Sequence, residues 1–173
     1  MFSKKTSQFS KKGFSIIEVV VCLAIITVGI LGVLSLFTQT IRSGEVSINQ
    51  EIATNLAQEG IEVIRNKRDS NWLKRDIDWN DKINETGYYK VNCKKTEENV
   101  KCEIENSSGI FEPLYLMENK IYTHKTDQPT IFKRKIAIDN TGEDVLKIIS
   151  TVQWAERGSD YSVTMQDDLY NWQ

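Results

Sequence analysis

Histidine occurs once in this chain, at His124 among Tyr122, Thr123, Lys125 and Thr126, with no second histidine and no nearby cysteine pair to complete a zinc site. That setting reads as a solvent-exposed side chain. There is no glycine-rich phosphate loop and no Gly-x-Ser-x-Gly elbow, and Asp167-Asp168 is a lone acidic pair near a strand end. These gaps leave an enzyme, a metal or a cofactor without support. Net charge is small as well: 22 basic and 24 acidic residues leave −2, so the molecule as a whole attracts neither nucleic acid nor anionic lipid. Only Lys94-Lys95 and Lys133-Arg134-Lys135, with Tyr and Phe nearby, offer a polyanion such as DNA local contacts. On an edge strand such a basic run is a solvated face that also blocks sheet aggregation.

The largest absence is charge between Glu18 and Arg42, where most positions are Val, Ile or Leu. At about 1.5 Å per residue, a helix of this length crosses a hydrocarbon core of about 30 Å. The run is too long for the apolar part of a secretory signal of about 7 to 15 residues, and Thr38-Gln39-Thr40-Ile41-Arg42 contains no small-residue cleavage site. Lys4, Lys5, Lys11 and Lys12 precede it, which holds the N-terminus in the cytoplasm and puts everything after Arg42 outside.

One carboxylate, Glu18, stands a helical turn inside the apolar run, where an unpaired charge near lipid costs roughly a few kcal/mol. On its own it reads as an interfacial acid snorkelling to the headgroups of a single-pass anchor. Beside Gly13-Phe14 and the basic leader it resembles the N-terminus of type IV prepilins and type II secretion pseudopilins: a short basic leader, a Gly, a Phe and an acid at the fifth mature position. The resemblance covers the first third of the chain. It implies cleavage between Gly13 and Phe14 by a membrane prepilin peptidase, N-methylation of Phe14, and assembly with other pilin subunits on a pilus assembly platform. The chemistry is sound in physical terms. A cut there places an ammonium on Phe14, four residues before Glu18, in a medium where opposite charges attract strongly. Glu18 can meet that ammonium in its own chain or in a neighbouring subunit, and the second pairing sets axial register, because a slip strands a carboxylate in an apolar bundle.

Past the membrane, Ile41, Ile48, Ile52, Leu56, Val63 and Ile64 recur at helical spacing with polar residues on the other faces. The pattern predicts one helix from Phe14 to about Asn66, roughly 80 Å long, transmembrane over 14–38 and amphipathic over 39–66. Asp69-Ser70-Asn71 breaks it and caps a short turn at Trp72-Leu73. Gly29 and Gly32 give room for a neighbouring helix, while Gly44 and Gly60 permit either packing or bending.

From Tyr88 the period becomes two. Tyr89, Val91 and Cys93 alternate towards a turn at Thr96-Glu97-Glu98-Asn99, and Val100, Cys102 and Ile104 alternate back. Pairing Lys95 with Val100 sets Cys93 opposite Cys102. In an exported domain that register favours a disulfide, the other reading being two small buried thiols. Cys22 lies inside the membrane run and packs there. Three further strands follow: Phe132, Ile136 and Ile138; Leu146, Ile148, Val152 and Trp154; and Tyr161, Val163 and Met165. Their apolar face needs the amphipathic helix as cover, so the expected architecture is α+β: one domain over 67–173 with a long helix on an antiparallel meander, as in pilins. Ile148 to Trp154 and Leu169 to Trp172 look like the type IV pilus modification protein group of minor pilins. Segments 72–87 and 107–130, with Trp72, Trp79, Pro113 and Pro129, carry no clear pattern. The alternatives are a type II secretion pseudopilin and an anchored binding module that never polymerises.

Overall fold

The computed structural model describes residues 13–74, 76–95, 99–117, 120–124, 128–142 and 144–171. The leader lysines Lys4, Lys5, Lys11 and Lys12, Thr96-Glu97-Glu98 of the expected turn, Lys125 and Trp172 lie outside the described residues. One helix, α1 (Ile16–Trp72), precedes seven strands: β1 (Gly87–Lys95), β2 (Val100–Ser107), β3 (Glu112–Leu116), β4 (Tyr122–Thr123), β5 (Gln128–Gly142), β6 (Val145–Glu156) and β7 (Ser159–Tyr170). The chain divides into two compact units, Met1–Glu45 and Val46–Gln173, and α1 contributes to each.

In the second unit, α1 packs on an antiparallel sheet. The alternating residues of β5, β6 and β7 pair as a meander, with Ile136 opposite Ser150, Ile138 opposite Ile148 and Val152 opposite Val163. The β1–β2 hairpin takes the register its pattern predicts: Lys95 with Val100, Cys93 with Cys102 and Val91 with Ile104. The unpatterned segment 107–130 supplies β3 and β4, both too short to show alternation, and β3 pairs with β5 through an irregularity between Pro113 and Tyr115.

This makes β5 the middle of the sheet. It is bonded along one side by β6 and along the other by β1 and β3, so Lys133-Arg134-Lys135 does not lie on an edge strand. Lys133 and Lys135 project outwards, whereas Arg134 shares the parity of Phe132 and Ile136 and is 2% exposed beneath the helix. There its guanidinium donates to the Leu56 carbonyl at 3.0 Å, to Glu59 at 3.3 Å and to the Val91 carbonyl at 3.3 Å. Burial pulls the Arg134 pKa down and the Glu59 carboxylate opposes that shift. A second tie joins helix and sheet through Arg65, which bonds Asp167 of β7 at 2.6 Å and also Glu62.

The face of α1 that meets the sheet is smaller and lies further along than the periodicity suggests. Its buried residues are Ala53, Leu56, Ala57, Gly60, Ile61, Ile64, Arg68 and Asn71, while Ile41 and Ile48 are exposed. Small side chains let the helix lie close to the sheet, closest at Gly60, where an added Cβ would sit 2.9 Å from Ser150 Oγ and 3.0 Å from Ile136 Cδ1. Two clusters fill the interface. One gathers Ile61, Ile64, Val91, Ile136, Ile138, Leu146, Ile148 and Leu169. The other holds Ala53, Leu56, Leu114, Phe132, Val152 and Trp154. An aromatic row, Tyr122, Phe132, Trp154 and Tyr161, crosses β4 to β7 beside the second.

Helix α1 starts at Ile16 and runs through Asp69-Ser70-Asn71 to Trp72, beyond the stop expected near Asn66. Tertiary bonds outweigh the capping preference of those residues. Asn71 is fully buried, donates from Nδ2 to the carbonyls of Trp79 and Asp81, and accepts from Lys67. Arg68 lies over the Trp72 ring at 4.5 Å.

Gly60 gives a direct test of this seating. Gly60→Val is expected to destabilise the globular unit by about 2–3 kcal/mol through overpacking against two buried side chains. Gly44→Ala, with nothing within 4 Å of the added Cβ, should be neutral or stabilising by up to about 1 kcal/mol from helix propensity. Urea unfolding of the full chain in detergent, followed by tryptophan fluorescence, reads both changes, and a Gly60→Val variant as stable as the parent would refute the close approach.

Candidate assembly surface

The first described residues, Gly13, Phe14 and Ser15, precede α1 without regular secondary structure, and the Ser15 carbonyl accepts from the Glu18 amide at 3.0 Å and the Val19 amide at 3.2 Å. After Glu18, β-branched and leucine side chains continue the helix without a charge until Arg42. Within the first unit, none of these apolar side chains has cover. Exposure runs from 47% at Val19 to 85% at Ile16, with Phe14 at 81%. Cβ atoms built at Gly29 and Gly32 meet nothing within 4 Å. A solvated apolar face of this extent is unfavourable in water and calls for an apolar environment. By length and composition α1 is the one helix among the described residues able to cross a membrane.

Phe14 and Glu18 are both exposed on this unit. Glu18 is the only carboxylate in the first turn of α1, where the positive end of the helix dipole favours it. Cys22 is exposed on the same apolar segment.

Elsewhere the residues that carry chemistry are consumed by structure. Cys93 and Cys102 form a disulfide across the β1–β2 hairpin, their Cα atoms 4.0 Å apart. Lys135 lies over the rings of Tyr88 and Phe111, so it and Arg134 face opposite sides of the sheet and the three basic residues make no single patch. No group of three or more His, Cys, Asp or Glu side chains is placed to hold a metal among the described residues. Asp167 is held by Arg65 rather than paired with Asp168 in a joint function.

His124 departs from the solvent-exposed reading. It is partly buried, its ring Nδ1 lies 3.2 Å from the Pro113 carbonyl, and its amide donates to the side chain of Asn92. Burial and the positive charge of Arg134 push its pKa down to about 4. The buried Arg134 clamp is what the sequence reading missed, although strand parity marks it: position 134 falls between Phe132 and Ile136 on the inward face.

Comparison with protein families matches the prokaryotic N-terminal methylation motif over residues 9–34, which contain Gly13, Phe14, Glu18 and most of the apolar run. The match supports a type IV prepilin-like family. Comparison with curated proteins and with solved structures gives no match.

The His124 environment predicts a pH dependence. The depressed folded-state pKa means the unfolded chain binds the extra proton between about pH 6.5 and 4, so this stabilisation is complete above about pH 6.5 and is lost as the pH falls towards 4. His124→Gln is expected to flatten the loss of stability over that window relative to the parent in urea titrations. Parallel curves for the two proteins would show that His124 does not contribute.

Proposed function

We propose that this chain is a type IV prepilin-like protein, cleaved after Gly13 by a membrane prepilin peptidase, methylated on the new Phe14 amine, and assembled through α1 as a minor subunit of a type IV pilus. The single observation that carries the proposal is the coincidence, within residues 9–34, of the methylation-motif match with an apolar helix face that the chain itself leaves uncovered. In this reading residues 1–13 are the leader, 14–38 cross the membrane and later enter the filament core, 39–66 continue the helix, and 67–173 form the extracytoplasmic domain.

Hydrolysis of the Gly13–Phe14 amide leaves a carboxylate on the leader and an ammonium on Phe14. In the filament that ammonium accompanies Glu18 of an adjacent subunit, which removes the cost of an isolated charge among apolar helices and fixes the axial step. Two features support an external location for the globular unit. The leader lysines favour the cytoplasmic side, and a disulfide at Cys93–Cys102 persists in an oxidising compartment. The likeness of Ile148–Trp154 and the chain's last residues to minor pilins of the modification group favours a minor over a major subunit.

Intact-mass measurement of membrane-extracted protein is expected to show loss of residues 1–13 and one added methyl group on Phe14; a chain still carrying Met1 would overturn the assignment. Glu18→Ala should mature normally yet enter sheared filaments about tenfold less, the factor produced by about 1.4 kcal/mol. Wild-type incorporation of that variant would remove the register role.

A further inference from the structure

No side chain of β2 is fully buried: from Val100 to Ser107 each is exposed or half-buried. Among the described residues the strand pairs with β1 alone. Its polar ties lie at the Ser107 end, where Glu105 meets Lys90 at 3.7 Å and Ser107 donates to Glu112 at 2.6 Å. Towards the turn, the side-chain link between the two strands among the described residues is the Cys93–Cys102 disulfide. The pair beyond it sets Lys94 opposite Lys101, like charges that work against the ladder.

Strand β1 is anchored without help from β2. Gly87, Tyr88 and Tyr89 pair with β5, the Val91 carbonyl accepts from Arg134, and the Asn92 side chain accepts from the His124 amide. Val91 and Cys93 are buried in the core. The two half-cystines differ accordingly. Cys93 is 3% exposed, whereas Cys102 is half-buried and lines the surface groove between β2 and the flank of α1, the side from which a dithiol reaches the bond. The bridge joins positions nine apart, so it restricts little of the unfolded chain beyond the hairpin itself. Its loss falls on β2 rather than on the fold as a whole.

We propose that the Cys93–Cys102 pair is a redox latch on β2. Oxidised, it holds residues 100–104 against β1; reduced, that stretch leaves the sheet while β1 and the helix-covered strands keep their places. Opening transfers two electrons and two protons from a dithiol to the S–S bond, which gives two thiols and leaves the dithiol as a disulfide. Closing returns them to a disulfide-bearing oxidant. Completion of the sheet, and of the groove wall that β2 provides, is thereby conditional on an oxidising compartment. The latch lies in the globular unit and depends neither on processing at Gly13 nor on Glu18.

The test is amide hydrogen exchange read by mass spectrometry on the full chain in detergent micelles, oxidised and after treatment with dithiothreitol, with thiol alkylation to verify reduction. Amides of residues 100–104 are expected to exchange about tenfold faster once reduced, with β5 and β6 unchanged, and reoxidation should restore the slow rates. A Cys93→Ala, Cys102→Ala double variant should match the reduced protein and ignore the dithiol. Unchanged β2 exchange in verified reduced protein would overturn the proposal. Equal acceleration across β5 and β6 would make the bridge a strut of the whole unit and overturn it as well, as would a bond that resists the dithiol while the unit stays folded.

Discussion

Between Phe14 and Phe37 the chain carries hydrocarbon that stays uncovered within its own unit. Every large apolar side chain there is exposed within its own unit, and burying such surface is worth roughly 25 cal/mol per Å². The demand for an external apolar environment therefore dominates what the N-terminal third can do. A bilayer meets it for one subunit, and neighbouring helices meet it in a polymer. Against that background the lone Glu18 is costly in both settings, which makes the motif match at residues 9–34 physically coherent: the processing it implies creates the counter-charge that the acid lacks.

The globular unit solves a different problem, that of joining a helix to a sheet along one narrow face. Ala53, Ala57 and Gly60 bring the backbone close, and the buried Arg134 guanidinium reaches the Leu56 carbonyl beneath the helix. An arginine buried there is costly unless its charge and donors find partners, and its two terminal nitrogens meet a helix carbonyl, a helix carboxylate and a β1 carbonyl, while Nε has no partner among the described residues. It also sets the electrostatics nearby, since its charge together with burial keeps His124 neutral. The single histidine thus has a structural setting rather than a catalytic one.

The hairpin of β1 and β2 forms one end of the sheet. Its outer strand has one neighbour, and the Cys93–Cys102 bond fastens the two strands near the turn, at the third pair counted from the Lys95–Val100 end. A cross-strand staple there holds the hairpin in register.

Local signals were legible from the residues alone. The charge-free run, the Gly13-Phe14-Glu18 spacing, the alternation of β5 to β7 and the hairpin register each depend on neighbours a few positions apart, and each follows from helix or strand period. What stayed hidden depends on which distant segment comes alongside. Lys133-Arg134-Lys135 looks like a solvated edge until β3 and β1 flank β5, and Asn71 looks like a helix breaker until Trp79 and Asp81 offer it carbonyls. Gly60 was ambiguous because its reason is a serine ninety residues later. By itself the sequence determined the long apolar helix, the register of the β1–β2 hairpin and the alternation of β5 to β7. The tertiary structure decided which polar side chains were buried and which strand edge was left open, because both turn on pairings between residues far apart in the chain.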